Sequence, residues 1–351
     1  MMTAASTSLS AAAGTPATSG EARQGPAERR RYAVIIVHYK TPQMLADCLM
    51  TLLPELDAKQ RDEVIVVDNA SGAEVLHALT PITKLPLLTL IKSPDNLGFA
   101  GGNNVGIRYV QESGGADFYV LLNADTLVRP GAFATLRAFL EKHPEAACVG
   151  PRLEYPDATP QLSAFGDPTP VSELIRGANI GFLAKVLRRW EVYGKIEDRP
   201  HRADWVAGAC VMMRDEVVQR VGLLDDGYFM YFEEVDYFRR ARKLGLQTWY
   251  EPAAHVVHLV GGSSGVTTDW GARRLPNYWF ESRHRYFRKH FGYLGMVAAD
   301  AAWLAGHVLM RVRRLFTGVS HSAVAKSETR DLLRHSLRQL VRPSPTKPRT
   351  V

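Results

Sequence analysis

Asn123-Ala124-Asp125 closes the apolar run at 118–122, and a strand that ends in a carboxylate presents it on the rim of a sheet. A divalent cation and the diphosphate of a nucleotide can share such a group, because hard cations take oxygen donors and sheet ligands gather at strand ends. Alone, the pattern also suits a turn, since Asn and Asp bond their own backbone after a strand. A second acidic group, Glu233-Glu234-Val235-Asp236, opens a stretch of helical spacing that runs to about Lys243. Carboxylates there complement a helix dipole. Adjacent ones also crowd like charge, which raises a pKa and suits a general base. Ahead of both acidic groups, the stretch 96–104 carries Gly98, Gly101, Gly102 and Asn103, where backbone can approach a ligand closely. It is neither a Walker A loop nor a Gly-x-Gly-x-x-Gly fingerprint.

These groups need elements to hold them. A β-branched run at 32–39 ends in His38 and Tyr39 ahead of Thr41-Pro42, and 43–53 has helical apolar spacing. The strand pattern repeats at 63–68, ending in Asp68, and again at 87–91, which leads into 96–104 and a helix to about Val110. The strand before Asn123 is followed by a helix from Pro130 to about Lys142. Alternating strands and helices predict an α/β fold: a doubly wound, mostly parallel sheet with helices on both faces and ligands at the strands' C-terminal ends. Past Gly150 the alternation lapses. Residues 151–204 carry Pro151, Pro156, Pro160, Pro168 and Pro170 and a helix near 173–190, and they read as an acceptor-facing insertion. Regular order returns at 205–213, with a helix over 214–221.

His38-Tyr39, Asp68, the 96–104 stretch, Asn123-Ala124-Asp125 and Phe232-Glu233-Glu234-Val235-Asp236 follow one another along the chain. Together with Gly208-Ala209-Cys210, Asp225, Tyr228-Phe229-Met230-Tyr231, His255 and His258, they resemble the inverting family-2 glycosyltransferases, and in detail the rhamnosyltransferase-like members. The resemblance covers about 32–290. It implies a GT-A fold, a nucleotide-sugar donor, with dTDP-rhamnose the expected one, and direct displacement at the anomeric carbon. It implies that Asp68 accepts the imide N–H of a uracil or thymine, that His38 and Tyr39 line the base pocket, and that Asn96, Gly98 and Asn103 contact the nucleotide. Glu234 matches the base position, with Glu233 as the second candidate. His258 matches a histidine that completes a metal shell, with His255 as its rival. Asn123 departs from the plain Asp-x-Asp pattern. An amide oxygen is a weaker ligand for Mg²⁺ or Mn²⁺, so Asp125 should carry the charge while Asn123 reaches ribose or a water. The plainer readings are a helix cap for Asp68 and core packing for the histidines.

Two other classes fit less well. A sugar nucleotidyltransferase needs a Gly-rich, Arg-containing loop after its first strand, where this chain has His38-Tyr39-Lys40-Thr41-Pro42. A non-catalytic binding protein on a decayed transferase fold would lack the base and metal carboxylates, and Asp125, Glu233 and Glu234 are all present.

At 351 residues, 46% hydrophobic and 23% charged, the chain can bury a full core. Residues 1–31 are rich in Ala, Thr, Ser, Gly and Pro and read as a flexible tail. Ala11-Ala12-Ala13 is broken by Gly14 and Pro16, so a secretory signal is not expected and a cytoplasmic location is. Cys48, Cys148 and Cys210 are too scattered for a disulfide framework. The net charge of +7 is concentrated: residues 311–351 hold ten Lys or Arg against Glu328 and Asp331. Just before them, 292–310 is mostly apolar, while Asp300, His307, Arg311 and Arg314 share one helical stripe. An interfacial helix on an anionic membrane surface fits this better than a spanning one, and a core-packing helix is the alternative. The tail has no interleaved aromatics for nucleic acid, which is excluded as a partner. The expected organisation is a tail over 1–31, the transferase domain over 32–290, an apolar amphipathic helix over 291–318 and a basic tail over 319–351. The acceptor is expected to be a lipid-linked or oligosaccharide precursor.

Overall fold

The structure, a computed structural model, describes residues 30–73, 87–259, 274–317, 325 and 327–341. Its strands are β1 (Arg30–His38), β2 (Glu63–Asn69), β3 (Leu88–Ser93), β4 (Ala116–Asn123), β5 (Thr126–Val128), β6 (Ala146–Glu154), β7 (Ala164–Phe165), β8 (His201–Ala203), β9 (Trp205–Val206), β10 (Cys210–Arg214) and β11 (Gln247–His258). Its α-helices are α1 (Pro42–Leu52), α2 (Gly98–Glu112), α3 (Ala132–Lys142), α4 (Pro170–Ala178), α5 (Gly181–Val186), α6 (Asp215–Val221), α7 (Glu233–Lys243), α8 (Asn277–Thr317) and α9 (Glu328–Val341).

The main sheet runs β3-β2-β1-β4-β10-β6-β11-β5, with β8 paired to β11. β1 to β4 are mutually parallel where they pair, and β10 lies antiparallel between β4 and β6. Their branched side chains serve both faces, as a sheet covered on two sides requires. Val34, Ile36, Val64 and Val66 pack under α1 and α3, while Ile35, Ile65 and Val67 pack under α2, α6 and α7. The register pairs His38 with Asp68 and Val37 with Asn123, so the polar strand ends lie side by side on one rim.

The structure corrects four expectations. The 96–104 stretch is not an open loop, because α2 begins at Gly98. A Cβ on Gly102 would stand 2.7 Å from Val37 Cγ1, so this glycine lets the helix lie directly on β1. The single helix expected near 173–190 is broken at Asn179, which takes a left-handed φ of 45° between α4 and α5. The basic tail expected over 319–351 contains α9. Finally, the helix expected to begin at 291 begins at Asn277, and only a break at Gly292 (φ 73°, ψ −178°) falls near the expected boundary.

The orientation of α8 is set by a buried cation. Arg283 is completely buried. It donates to Glu173 Oε2 at 3.0 and 2.8 Å and also to Asp300. Asp300 accepts further bonds from His284 at 3.1 Å and Ser336 at 2.6 Å, while Arg176 bridges Glu173 and Glu328. A buried guanidinium is tolerated only when carboxylates meet it, so the Asp300 side of α8 turns inward. Burial alone would raise the Asp300 carboxyl, but the His284 bond and the Arg283 charge hold it down to about 2. Of the tail expected over 1–31, residues 1–29 lie outside the described residues, as do 260–273, while Arg30 and Arg31 belong to β1.

Candidate active site

At the rim, Asp68 is buried at the end of β2, where His38 Nδ1 meets its Oδ1 at 2.9 Å and Ser71 N–H donates to its Oδ2 at 3.2 Å. Thr41 N–H donates to His38 Nε2 at 3.2 Å. A nitrogen that accepts carries no proton, so the His38 proton sits on Nδ1 and points at Asp68. His38 is fully buried and commits both ring nitrogens inside the protein. The sequence expectation that it lines a pocket gives way to a role behind Asp68. Tyr39 is partly exposed beside it, with Lys40 Nζ 5.0 Å from its ring centre.

The start of α2 is clamped from two sides. Asn69 donates to Asn96 Oδ1 at 3.1 Å and Gly98 O at 2.9 Å, and accepts from Leu97 N–H at 3.1 Å. Gly98 has φ +69°, and a Cβ there would stand 2.0 Å from Phe229 O. Phe99 N–H donates to that same carbonyl at 2.9 Å. Asn104 holds Leu224 in both directions, N–H and C=O, at 2.9 Å each. The 96–104 segment is therefore fastened to the 224–232 loop that leads into α7. Asn103 is buried and donates to Phe99 O at 2.9 Å within the helix. It is a packing residue of α2 rather than a rim residue, which corrects the expectation of a nucleotide contact. Asn96 and Gly98 stay at the rim.

The acidic group sits at the end of that loop. Tyr231 and Phe232 both take left-handed φ, 70° and 68°, a conformation that bulky residues adopt only under constraint. Stacking of Tyr231 on Tyr278 (centroids 5.9 Å apart) and the edge contact of Phe232 with Trp279 (5.9 Å) supply that constraint. Glu233 is buried, and among the described residues its Oε2 and that of Glu234 have no hydrogen-bond partner. Burial first, then the neighbouring Glu234 charge, raises Glu233 well above the usual carboxylate range. Burial pushes Glu234 up to about 7. Asp236 behaves oppositely: Arg240, Lys289 and His290 bond it at 2.7–2.8 Å. Those partners outweigh its burial and depress it, so it stays ionised and occupied. The Cβ of Glu234 lies 3.8 Å from where a Cβ on Gly208 would be, and Ala209 O accepts from Asn123 N–H at 2.9 Å. One short loop thus joins the acidic pair to the end of β4.

Asp125, just past β4, is buried, and His258 Nε2 approaches its Oδ1 to 3.6 Å. Burial lowers the His258 pKa against the pull of Asp125, so the imidazole is neutral and able to ligate. His255 bonds Glu154 at 3.1 Å and lines a separate cavity with Arg129 and Arg152. Three residues apart on β11, the two histidines face opposite sides. Among the described residues no group of three His, Cys, Asp or Glu side chains is poised for a metal. The donor set is one carboxylate and one imidazole, which fits a divalent cation whose remaining positions go to phosphate oxygens and water.

A family model described as "Glycosyltransferase like family 2" matches residues 29–292. The chain belongs to glycosyltransferase family 2. Similar curated proteins include the N-acetylglucosaminyl-diphospho-decaprenol L-rhamnosyltransferase of Mycobacterium tuberculosis, 28% identical over 66% of this chain and 77% of that one. Rhamnosyltransferase WbbL of Escherichia coli is 27% identical over 65% of this chain and 82% of that one. Among solved structures, the mannosyltransferase PcManGT of Pyrobaculum calidifontis with GDP-Man and Mn²⁺ aligns at TM-score 0.51 and 17% identity, covering 91% of this chain and 83% of that one. GalNAc-T7 with UDP, GalNAc and Mn²⁺ aligns at 0.53 and 15%, covering 90% of this chain and 56% of that one. This glycosyltransferase has the GT-A fold. Its motif residues other than Asn103 and His255 lie toward one rim, and Asn69 and Asn104 join them as clamps that no local pattern singled out. Their partners lie 27 to 120 residues away.

Proposed function

We propose that this glycosyltransferase moves rhamnose from dTDP-rhamnose, with inversion, to a lipid-linked or cell-surface polysaccharide precursor. It would work with bound Mg²⁺ or Mn²⁺ on the cytoplasmic side, at the inner face of a membrane. The similarity to two rhamnosyltransferases supports the donor, at 27–28% identity. The observation that carries the reaction type is the Glu233–Glu234 pair, two carboxyls raised by burial at the end of the clamped loop. A base that must take a proton near neutral pH works best with a pKa near the working pH. Glu234, at about 7, meets that condition, while Glu233 keeps its proton and leaves Glu234 the ionising member.

In this reading Asp68, oriented by His38, accepts the thymine imide N–H and sets the donor's position. Asn96 and the backbone around Gly98 border the nucleotide, and Asn123 reaches ribose or a water. Glu234 takes the proton of the acceptor hydroxyl as its oxygen bonds the anomeric carbon and the bond to the diphosphate oxygen breaks, leaving its electrons on the diphosphate. Asp125 and His258 would hold the cation, which when bound offsets the charge of the departing diphosphate.

A donor panel tests the reading. Purified protein with Mn²⁺ is incubated with dTDP-rhamnose, UDP-GlcNAc, UDP-galactose or GDP-mannose, and melting temperature and donor hydrolysis are followed. Stabilisation and slow hydrolysis should be strongest with dTDP-rhamnose. A clear preference for another donor rejects rhamnose, and no response to any donor rejects the transferase site.

A further inference from the structure

Beyond Gly292, α8 is largely apolar on its exposed side as well as on its buried one. Its inward stripe is Met296, Ala299, Asp300, Trp303, His307 and Met310, all buried. Its outward stripe runs at spacings of three and four through Leu294, Val297, Ala301, Ala305, Val308, Val312 and Leu315, all exposed. Leu294 is 80% exposed, Leu315 83% and Phe316 84%. The ion-pair group around Arg283 takes Asp300 inward, so the exposed side keeps its apolar residues and no carboxylate. Asp300 is the one acidic residue between 293 and 317. The outward face therefore carries no negative charge, while Arg311 and Arg313 stand exposed at its far end.

Neighbouring elements extend the same character. Arg313 reaches Asn179 O at 3.5 Å, which brings the start of α5 beside the end of α8. There Phe182 (77%) and Val186 (62%) are exposed with Lys185, Arg188 and Arg189. α9 packs on α8 through Leu332 and Trp303 and leaves Leu333 and Leu337 exposed among Arg330, Arg334 and Arg338.

We propose that this outward face of α8, flanked by α5 and α9, docks on an anionic lipid bilayer, with its apolar stripe in the headgroup boundary and its arginines on lipid phosphates. This deepens, and rests on, the reading that the acceptor precursor is membrane-borne. A helix that is apolar along one side and ends in cations lies in the interface. A spanning role is closed off because the opposite stripe is already covered by protein. An anionic surface is favoured over a second copy of the chain, because two such faces would bring arginine against arginine. The same helix begins at the site: Ser282 Oγ donates to Met230 O at 2.9 Å, and Trp279 meets Phe232. From Trp279 to Tyr293 is about 20 Å along the helix, so docking would hold the acidic pair within reach of an acceptor anchored in the same bilayer.

The test is co-sedimentation of the full chain with vesicles of phosphatidylcholine containing about one third phosphatidylglycerol, against phosphatidylcholine alone. The comparison variant carries Leu294→Glu, Leu315→Glu and Phe316→Glu, three exposed sites whose change leaves the core untouched. Binding should be at least tenfold stronger to the anionic vesicles, and the variant should lose at least tenfold, while melting temperature and dTDP-induced stabilisation stay unchanged. Equal binding by wild type and variant overturns the proposal. So does light scattering that finds a dimer which the three glutamates dissociate. Vesicle binding with no rhamnosyl transfer would reject the donor reading and leave docking standing, whereas transfer to a soluble acceptor without vesicle binding would do the reverse.

Discussion

His38 Nδ1 lies 2.9 Å from Asp68 Oδ1, and the Thr41 N–H bond to Nε2 fixes which nitrogen carries the proton. The imidazole is thus a buttress that fixes the orientation of a buried carboxylate. Hydrogen bonds to a charged group contribute about 1.5–3 kcal/mol. His38→Ala should therefore weaken dTDP binding by about tenfold or more, with turnover at saturating donor little changed. Titration calorimetry with dTDP reads this directly. A fall in kcat at unchanged affinity would assign His38 to the chemistry instead.

Glu234→Gln should lower kcat by about a hundredfold or more with donor affinity intact, since a general base contributes about 10²–10⁴ in the transition state. Wild-type kcat should rise with pH through about 7, where the carboxyl ionises. The linked stability effect has a definite sign. The carboxyl is raised from its ordinary 4.5 in the folded chain, so folding takes up a proton between those values and stability falls as pH rises. Gln needs no proton, so E234Q should melt higher than wild type at pH 8 and close to it at pH 4. Near-normal turnover in the variant would move the base to Glu233.

Asp125→Ala should remove both activity and the Mn²⁺-dependent part of dTDP stabilisation, because a lone neutral imidazole holds a hard cation poorly. Asn123→Asp should tighten Mn²⁺ binding by adding a second carboxylate at the strand end. Melting curves with and without EDTA report both. Full activity in EDTA would leave charge stabilisation to the protein's own cations.

Gly98→Ala separates strain from collision. Left-handed backbone costs a non-glycine residue about 1–3 kcal/mol, and at Gly98 the added Cβ also meets Phe229 O at 2.0 Å. Gly131 has a similar φ of +82° with nothing within 4 Å, so Gly131→Ala shows the strain alone. Urea unfolding should find Gly98→Ala the less stable of the two. Its activity should fall further than its stability, because the displaced carbonyl belongs to the loop that carries Tyr231 and Phe232. Equal effects of the two substitutions would mean the clamp is soft.

Much of this site is written locally. Branched runs make the strands, and each strand's last polar residue falls on the rim because side chain and register are set by the run itself. That is why Asp68, Asn123 and Asp125 stand out in the sequence, while the Glu233–Glu234 pair stands out as acidic residues opening a helical stretch; His258 and His255 were separated only when β11 was seen to turn them to different partners. The role of His38 was not legible, because its partner is 30 residues away and becomes a neighbour only when β1 and β2 pair. Asn103 was misread for a related reason: a glycine-rich stretch looks like a ligand loop until β1 is seen lying against it.

The C-terminal helix marks the same boundary most sharply. Periodicity alone placed Asp300, His307, Arg311 and Arg314 on one stripe of α8. Which of them turn inward depended on Arg283, buried earlier in the same helix, and on Glu173, 110 residues before it: Asp300 and His307 are buried and Arg311 stays exposed. A buried charge must be matched wherever it lies, and only the tertiary structure decided that Asp300 would match it, leaving an apolar stripe outside.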